Sequence, residues 1–394
     1  MRQRFFLIFL CVFLQSTFSQ NKPVDGYSAI DKKALQMSNS QTTSTDLIAS
    51  YIIKNFKTEK EKARAIFIWI ASNIRYDIDN MYNIRYNEDD SIKITRTLLT
   101  RKGVCENYSA LFCDICVKVG LKSFQISGYT KQNGVVANLT HAWCAVRIDG
   151  NWYLFDPTWG SGYLSNGKYV RKVDEAYFMA KPSGMIGSHM PFDYLWQFLN
   201  YPITHQEFID GKIASGKARP YFSFKDSIQA YEKQDEIGRL ISTANRIEKN
   251  GVRNVHVFNR LREIKQQIET VRHNEIVGIF NSAVSDCNEG INSLNAFINF
   301  RNKQFTPQKT DLEIRSMIDI AFELLNKSKL KINQIQSDDL EMSNLVQNLR
   351  RTIEDTLNQL KDQQNWLSEY LKKGKLGRKA MFVGKVTWYG IPLN

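Results

Sequence analysis

The spacing of apolar and polar positions changes along the chain and separates two parts of different architecture. Tyr108, Phe112 and Ile115 recur at helical spacing, whereas the text after residue 122 alternates in the way of half-buried strands. Helices followed by antiparallel strands are typical of an α+β fold. The pattern predicts helices beginning near Asp46, Thr58 and Cys105, and strands at 123–129, 140–148 and 151–156.

The part after residue 222 consists of long amphipathic segments. Val255, Phe258 and Leu261 start one apolar stripe at helical spacing, and Leu345 and Leu349 start another. Their heptads are irregular, which favours a bundle core over an oligomeric coiled coil. The sequence therefore predicts an α+β core with an antiparallel sheet, followed by an α-helical bundle or helical hairpin region. The predicted breaks between its helices lie near 250–251, 306–307 and 337–338.

The N-terminal text is typical of a secretory signal peptide. A basic start precedes an apolar run over 5–14 and a region of small residues that ends at Ser19. Cys11 follows the bulky Leu10 inside the apolar run, which argues against lipid attachment there. We therefore expect cleavage after Ser19 and export, with periplasm, cell surface and secretion left open, and no transmembrane segment in the product.

Two domains are expected for a chain of 394 residues. The stretch before residue 46 is polar and lacks periodicity, and the C-terminal tail carries the strand-like Phe382, Val383 and Val386, which could pair with a sheet edge. The predicted boundaries are 1–19 for the signal peptide, 20–45 for a linker or N-terminal arm, 46–215 for the α+β domain, 220–375 for the helical region and 376–394 for the tail.

The net charge of +13 is compatible with acidic partners and with a solvated basic surface, of which the second is favoured over a nucleic-acid site. A basic surface attracts acidic polymers, anionic membranes or nucleic acid. Here the basic residues are dispersed along predicted helices, and the densest run, 372–379, is short and carries no nucleic-acid-binding motif. We therefore expect an acidic or envelope-associated partner for the basic helical region, and no nucleic acid.

Five cysteines remain after the predicted cleavage, and in an oxidising compartment an odd number leaves at least one free thiol. Cys113 and Cys116 form a C-x-x-C in mid-helix, with no second pair and no nearby ligand histidine. That spacing favours core packing over metal binding. Cys144 is also expected in the core, and the sequence predicts no metal or cofactor.

Cys105 stands at the predicted start of a helix that runs to Gly120. The preceding text reads as a helix that ends at Gly103. A thiol at a helix start is close to the positive end of the helix dipole and to free N–H groups, which favour the thiolate. Cys105 is therefore a candidate nucleophile, and its own N–H is a candidate oxyanion donor.

The dipeptide Asp149-Gly150 predicts a two-residue turn that brings two further candidates together. Counting outward from this turn, Trp143 faces Asp156, and His141 lies on the same sheet face one diagonal step away. Diagonal neighbours are about 7–8 Å apart at the backbone, a gap that two side chains can close. Asp156 would then orient His141, which would hold the proton of the thiol.

Several short motifs resemble the transglutaminase-like superfamily. They are Gly103-Val104-Cys105 with Tyr108, His141-Ala142-Trp143, and Trp152 before Asp156-Pro157-Thr158. The text at 158–163, Tyr177-Phe178, His189-Met190-Pro191 and 196–199 is similar to the kyphoscoliosis-peptidase branch. The resemblance covers about residues 46 to 210.

The resemblance implies a papain-like fold, a Cys-His-Asp triad on Cys105, His141 and Asp156, and acyl chemistry on peptide or glutamine amides. We expect a protein or peptide substrate and favour a hydrolytic cysteine peptidase or amidase over a cross-linking transglutaminase. The alternative is a non-catalytic protein-interaction module of the same fold.

Trp159 is the one substrate-binding residue predicted beside the triad, and four other residues near it are given other roles. Trp159 is expected to form a wall of the substrate groove, whereas Trp143 and Trp152 are expected in the core. Glu106 would raise the pKa of the adjacent thiol if its carboxylate faced the cleft. His189 is predicted to be a loop or capping residue.

Overall fold

The computed structural model describes residues 26–82, 88–213 and 219–382. Proximity of Cα atoms divides the chain into two compact units, Met1–Glu263 and Ile264–Asn394. The predicted signal peptide and residues 383–394 of the predicted tail lie outside the described residues. Within the described part, no helix is both long enough and apolar enough to cross a bilayer.

Side-chain caps fix where the helices of the first unit begin. The Glu61 N–H donates to Thr58 Oγ1 at 3.1 Å, and the Thr58 N–H donates to Glu61 Oε2 at 3.0 Å, which confirms the predicted capping box. Ser44 caps the next helix upstream in a similar way. The helices are α1 (Ser28–Ala34), α2 (Thr45–Asn55), α3 (Glu59–Asn73), α4 (Asp90–Thr100), α5 (Cys105–Lys118), α6 (Pro182–Met185), α7 (His205–Asp210), α8 (Phe224–Lys233) and α9 (Glu236–Asn250).

The segment predicted as a linker or arm is folded from Ser28 onward, which corrects that prediction. The buried guanidinium of Arg64 in α3 donates to Asp31 of α1 at 2.7 Å and also to Glu175. Ala34 of α1 is fully buried in the same core. The sequence did not predict this folded helix, because α1 is held by an ion pair with distant residues and has no apolar stripe of its own.

A four-stranded antiparallel sheet carries the predicted site, with the strands Asn151–Phe155 (β5), Val135–Ile148 (β4), Lys122–Gln132 (β3) and His189–Pro191 (β8) side by side in that order. Its central hairpin turns at Asn133-Gly134, where both residues have positive φ (52° and 80°), as a two-residue turn requires. This Asn-Gly signal extends both central strands beyond the predicted ranges. The strands are β1 (Arg75–Tyr76), β2 (Lys102–Gly103), β3 (Lys122–Gln132), β4 (Val135–Ile148), β5 (Asn151–Phe155), β6 (Gly162–Ser165), β7 (Lys168–Arg171) and β8 (His189–Pro191).

The main core of the first unit lies between this sheet and helices α3 and α5. Phe112 of α5 packs against Phe155 of β5 with ring centroids 5.2 Å apart, and Phe67 of α3 lies 6.5 Å from the same ring. All three side chains are fully buried. The sheet and α5 are thereby held together at the place where Cys105, at the start of α5, meets β4. These observations confirm the predicted α+β class.

The second unit is helical and has its own core. The helices are interrupted at 251–254, which precedes this unit, and at 303–310 and 333–339 within it, close to the predicted breaks. Leu325, Ile353 and Leu360 are fully buried between its helices. Residues 376–380 of the predicted tail lie in a short helix, whereas its strand-like positions after Phe382 lie outside the described residues. The helices from residue 255 onward are α10 (Val255–Asn302), α11 (Asp311–Ile332), α12 (Leu340–Leu371) and α13 (Lys375–Ala380).

Candidate active site

Cys105 is the first residue of α5, as the sequence predicts, and only 5% of its side chain is exposed. The Val104 N–H donates to Asn107 Oδ1 at 3.1 Å, which fixes the entry into the helix. The preceding helix α4 ends earlier than predicted, because Arg101 rather than Gly103 takes the left-handed conformation (φ 56°) that terminates it. Gly103 serves close packing instead, since a Cβ there would lie 2.5 Å from Asn107 Cβ.

The β4–β5 hairpin has the register predicted from its turn. Ile148 pairs with Asn151 and Cys144 pairs with Phe155, so that the next position brings Trp143 opposite Asp156. His141 Nε2 lies 2.7 Å from Asp156 Oδ2, a short hydrogen bond between two buried groups. The structure therefore brings together two of the three predicted triad residues in direct contact.

Every hydrogen-bonding position of the fully buried Asp156 carboxylate faces a donor. Its Oδ1 accepts the backbone N–H groups of Thr158 at 2.9 Å and Trp159 at 3.1 Å. Its Oδ2 accepts from His141 and also lies 3.1 Å from Nε2 of His189. A carboxylate held in this way cannot rotate without breaking several bonds at once.

The electrostatics of the site favour a protonated His141 beside an ionised Asp156. Burial lowers the pKa of His141, but the charge and hydrogen bond of Asp156, with a smaller contribution from Cys105, outweigh burial and raise it to about 10. Burial raises the pKa of Asp156, but His141 and His189 hold it well below its usual range. An imidazolium hydrogen-bonded to a thiol is the arrangement that stabilises a thiolate nucleophile.

His189 belongs to this cluster, and its prediction as a loop or capping residue was wrong. It lies in β8, paired with Thr130 of β3, and is 2% exposed. Sequence reasoning gave it little weight because β8 has only three residues, too few for a recognisable alternating pattern. The signal that pointed to it was the His-Met-Pro text shared with the kyphoscoliosis-peptidase branch.

Cys105 and His141 open onto one cavity of about 470 Å³. Trp159 lines it, as expected for a wall, together with Tyr76, Tyr163 and further aromatic residues. By contrast, Trp143 and Trp152 pack in an apolar cluster, as predicted. Several aromatic rings thus line the cavity onto which the thiol and the imidazole open.

Glu106 does not face this cavity. It lines a second cavity of about 510 Å³ and lies 3.5 Å from Nζ of Lys93. Burial raises the pKa of the Glu106 carboxyl, against the opposing charge of Lys93. The condition under which Glu106 would disfavour the thiolate, a carboxylate facing the cleft, is therefore not met.

The remaining cysteines pack in the core rather than in a metal or disulfide site. Cys116 and Cys144 are fully buried, and Cys144 Sγ donates to the Ser109 carbonyl at 3.6 Å. Burial raises the pKa of both thiols well above the ordinary value. All five cysteines of the described residues are free thiols.

His141, Asp156 and His189 also form a set of potential metal ligands, with donor atoms within 4.8 Å of one another. In a tetrahedral site with bonds of about 2.0–2.2 Å, neighbouring donor atoms are about 3.3 Å or more apart. Here the two imidazole nitrogens lie 2.7 and 3.1 Å from a single carboxylate oxygen. The raised pKa of His141 also opposes the deprotonation that metal binding requires. The spacing fits hydrogen bonding better than metal ligation.

Comparison with known proteins finds a family model that matches this part of the chain. Residues 47–157, which include Cys105, His141 and Asp156, match the family model of the transglutaminase-like superfamily. The chain carries a transglutaminase-like domain. Human kyphoscoliosis peptidase is 33% identical over 171 residues, which cover 41% of this chain and 25% of that protein. This similarity supports the predicted kyphoscoliosis-peptidase branch.

Other similar proteins extend the comparison. Hillarin from Drosophila melanogaster is 28% identical over 205 residues, which cover 46% of this chain and 24% of hillarin. A crystal structure of a TGase is 17% identical over 57% of this chain and 51% of that one, with a TM-score of 0.26. The chain therefore spans about a quarter of the length of these curated relatives.

Proposed function

We propose that this protein is an exported cysteine enzyme that opens peptide or glutamine amides through a thioester on Cys105, with water as the usual acyl acceptor. The observation that carries the proposal is the buried His141–Asp156 pair at 2.7 Å, in which His141 lines the same cavity as Cys105. A buried imidazolium beside a thiol has little purpose in packing, because burying charge costs free energy. The same arrangement is what thiol-based acyl transfer requires.

The proposed reaction has two steps. The Cys105 thiolate attacks the amide carbon to form a C–S bond, and the C–N bond breaks as His141 gives its proton to the leaving nitrogen. Water then attacks the thioester and gives one proton to His141, and the C–S bond breaks. This step releases the carboxylic acid and restores the Cys105 thiolate beside the protonated His141. The N–H of Cys105, at the start of α5, is placed to donate to the developing oxyanion.

The cavity supports a peptide-like substrate. Polar side chains line it, among them Gln132, Thr140 and Lys172. Such groups can hydrogen-bond to the amide groups of a peptide. The aromatic walls formed by Tyr76 and Trp159 suit the apolar part of the same substrate.

An activated ester tests the thioester step, because its good leaving group removes the need for the natural substrate. The protein is mixed with p-nitrophenyl acetate, and the acetylated residue is mapped by mass spectrometry. We expect acetylation of Cys105 and release of p-nitrophenolate, and neither in Cys105→Ala. Cys116→Ala is the matched control, since it removes a fully buried thiol outside the cavity. Equal turnover by wild type and Cys105→Ala would refute the mechanism.

Hydrolysis and cross-linking differ in the second acceptor. Adding methylamine to the same assay lets an amine compete with water for the acetyl-enzyme. We expect acetate as the main product, as for a peptidase or amidase. Acetylated methylamine in excess over acetate would assign the domain to amine transfer instead.

The alternative function is a non-catalytic interaction module at the cell envelope. It is favoured by the second, helical unit and by the net charge of +13, which would suit an acidic or envelope-associated partner.

Both proposals assume export, which rests on the sequence up to Ser19. Cell fractionation of the full chain and of a variant lacking residues 2–19 tests it: only the full chain should leave the cytoplasm.

A further inference from the structure

We propose that His189 is a positioning residue, which holds the Asp156 carboxylate in the orientation that His141 needs, with Ser188 fixing the tautomer of His189. This inference rests on the proposed function, since it assigns a fourth member to the same hydrogen-bonded chain. It adds a residue that lies outside the matched range 47–157.

The first support is the sharing of one oxygen. Asp156 Oδ2 lies 2.7 Å from His141 Nε2 and 3.1 Å from His189 Nε2, so it accepts from two rings. During turnover His141 gives up and regains its proton, and its bond to Asp156 weakens and strengthens. A second donor on the same oxygen keeps the buried carboxylate in place and ionised throughout.

The second support is the position of the proton on the His189 ring. Ser188 Oγ lies 2.8 Å from His189 Nδ1 and 3.3 Å from the Met185 carbonyl oxygen. The Ser188 hydroxyl has one proton, and it donates that proton to the nearer acceptor, His189 Nδ1. Burial lowers the pKa of His189, so the ring is neutral and carries one proton. With Nδ1 accepting from Ser188, that proton must lie on Nε2, where it points at Asp156.

The third support is the rigidity of the ring. His189 packs edge-on against Trp159 and Trp143, with centroids 4.6 and 5.2 Å away. It is 2% exposed and is not among the described residues that line the cavity. His189 therefore reaches the reaction through Asp156 and not through the substrate, so its loss should change kcat and leave KM nearly unchanged.

Two substitutions separate hydrogen bonding from packing. His189→Phe keeps an aromatic ring between the tryptophans but has no donor, whereas His189→Gln keeps an N–H at a similar distance but has no ring. With p-nitrophenyl acetate we expect His189→Phe to lower kcat about 10- to 100-fold with KM changed less than about threefold. We expect His189→Gln to retain kcat within about threefold.

A matched control is available in the same unit. His205 is another fully buried histidine, bonded through both ring nitrogens to Tyr129 Oη and to the Phe192 carbonyl. His205→Gln should lower the unfolding temperature without changing kcat. This control separates a general loss of a buried imidazole from loss of the specific donor to Asp156.

The outcomes that overturn the inference are distinct from those that overturn the function. A His189→Phe enzyme with kcat within about twofold of wild type, or a His189→Gln enzyme as slow as His189→Phe, would leave His189 with a packing role. If neither variant folds, Ser188→Ala carries the test, because loss of its hydroxyl frees the tautomer. We then expect kcat to fall about 3- to 10-fold, and an unchanged kcat would refute the inference. Wild type that forms no acetyl-Cys105 refutes the proposed function itself.

Discussion

At the scale of single residues, the site depends on one carboxylate that is entirely enclosed by donors. Asp156 accepts four hydrogen bonds, two from backbone N–H groups and two from histidine rings. Because both carboxylate oxygens accept two hydrogen bonds each, any replacement that removes an acceptor leaves a donor without a partner. Its neighbours His141 and His189 owe their orientation to it.

Replacing Asp156 with Asn should separate orientation from stability. The amide nitrogen would face either the two backbone N–H groups or the two histidine N–H groups. The backbone donors cannot change, whereas an imidazole can adopt its other tautomer, so we expect the amide nitrogen on the histidine side. His141 would then present the wrong nitrogen to the thiol. We expect kcat on p-nitrophenyl acetate to fall about 10²- to 10⁴-fold while the fold persists. Near-UV circular dichroism and thermal unfolding check the fold, and full activity in a folded Asp156→Asn protein would contradict this account.

The raised pKa of His141 predicts how the unfolding free energy depends on pH. Because folding raises it from 6.5 to about 10, His141 stabilises the fold fully below pH 6.5 and loses that contribution as pH rises through about 10. The difference in urea unfolding free energy between wild type and His141→Ala should therefore shrink between these two pH values.

His205 supplies the control of opposite sign. Burial lowers its pKa from 6.5 to about 4, so it destabilises the fold only as pH falls below 6.5. The difference in urea unfolding free energy between wild type and His205→Ala should therefore stay constant between pH 6.5 and about 10, the range in which the difference for His141→Ala shrinks. A constant difference for His141→Ala as well would mean that folding leaves its pKa unchanged.

At the scale of elements, the site is built where β8 approaches β3 and β4. Gly128 of β3 pairs with His141 on one side and with Pro191 on the other. A Cβ at this position would lie 2.2 Å from the Met190 carbonyl and 2.5 Å from Trp143 Cη2. Glycine is therefore required for β8 to bring His189 within reach of Asp156.

Gly128→Ala should push β8 away from the sheet. We expect a loss of about 1–3 kcal/mol in unfolding free energy, together with a fall in kcat as His189 withdraws from Asp156. Gly184→Ala is the control, because the structure leaves open space around a Cβ there. Wild-type stability and kcat in Gly128→Ala would contradict the close packing described here.

Local signals explain which elements the sequence could predict. The capping box of Thr58 and Glu61 and the Asp149-Gly150 turn each fix a boundary or a register within a few residues, and both occur as predicted. The anchoring of α1 by Arg64 and the place of His189 depend on residues far apart in the chain. No local pattern reports such contacts, and they were missed for that reason.

At the scale of the whole molecule, the chain has two cores with different sequence patterns. The α+β unit holds the candidate site, and the helical unit has a separate buried cluster that includes Leu325 and Ile353. The helical breaks were predictable because Gly, Pro and Asp stand at them. The predicted domain limits, 46–215 and 220–375, remain predictions, and the boundary of the two compact units along the chain lies between Glu263 and Ile264.

The central claim is that Cys105 is an activated nucleophile, and the rate of its alkylation tests it most directly. Iodoacetamide is reacted with the protein between about pH 5 and 8, labelled peptides are mapped by mass spectrometry, and His141→Ala is run in parallel. The account predicts fast labelling of Cys105 down to mildly acidic pH, with a large loss of rate in His141→Ala. Slow labelling that rises only toward alkaline pH and ignores His141 would contradict it, and would favour the non-catalytic interaction module.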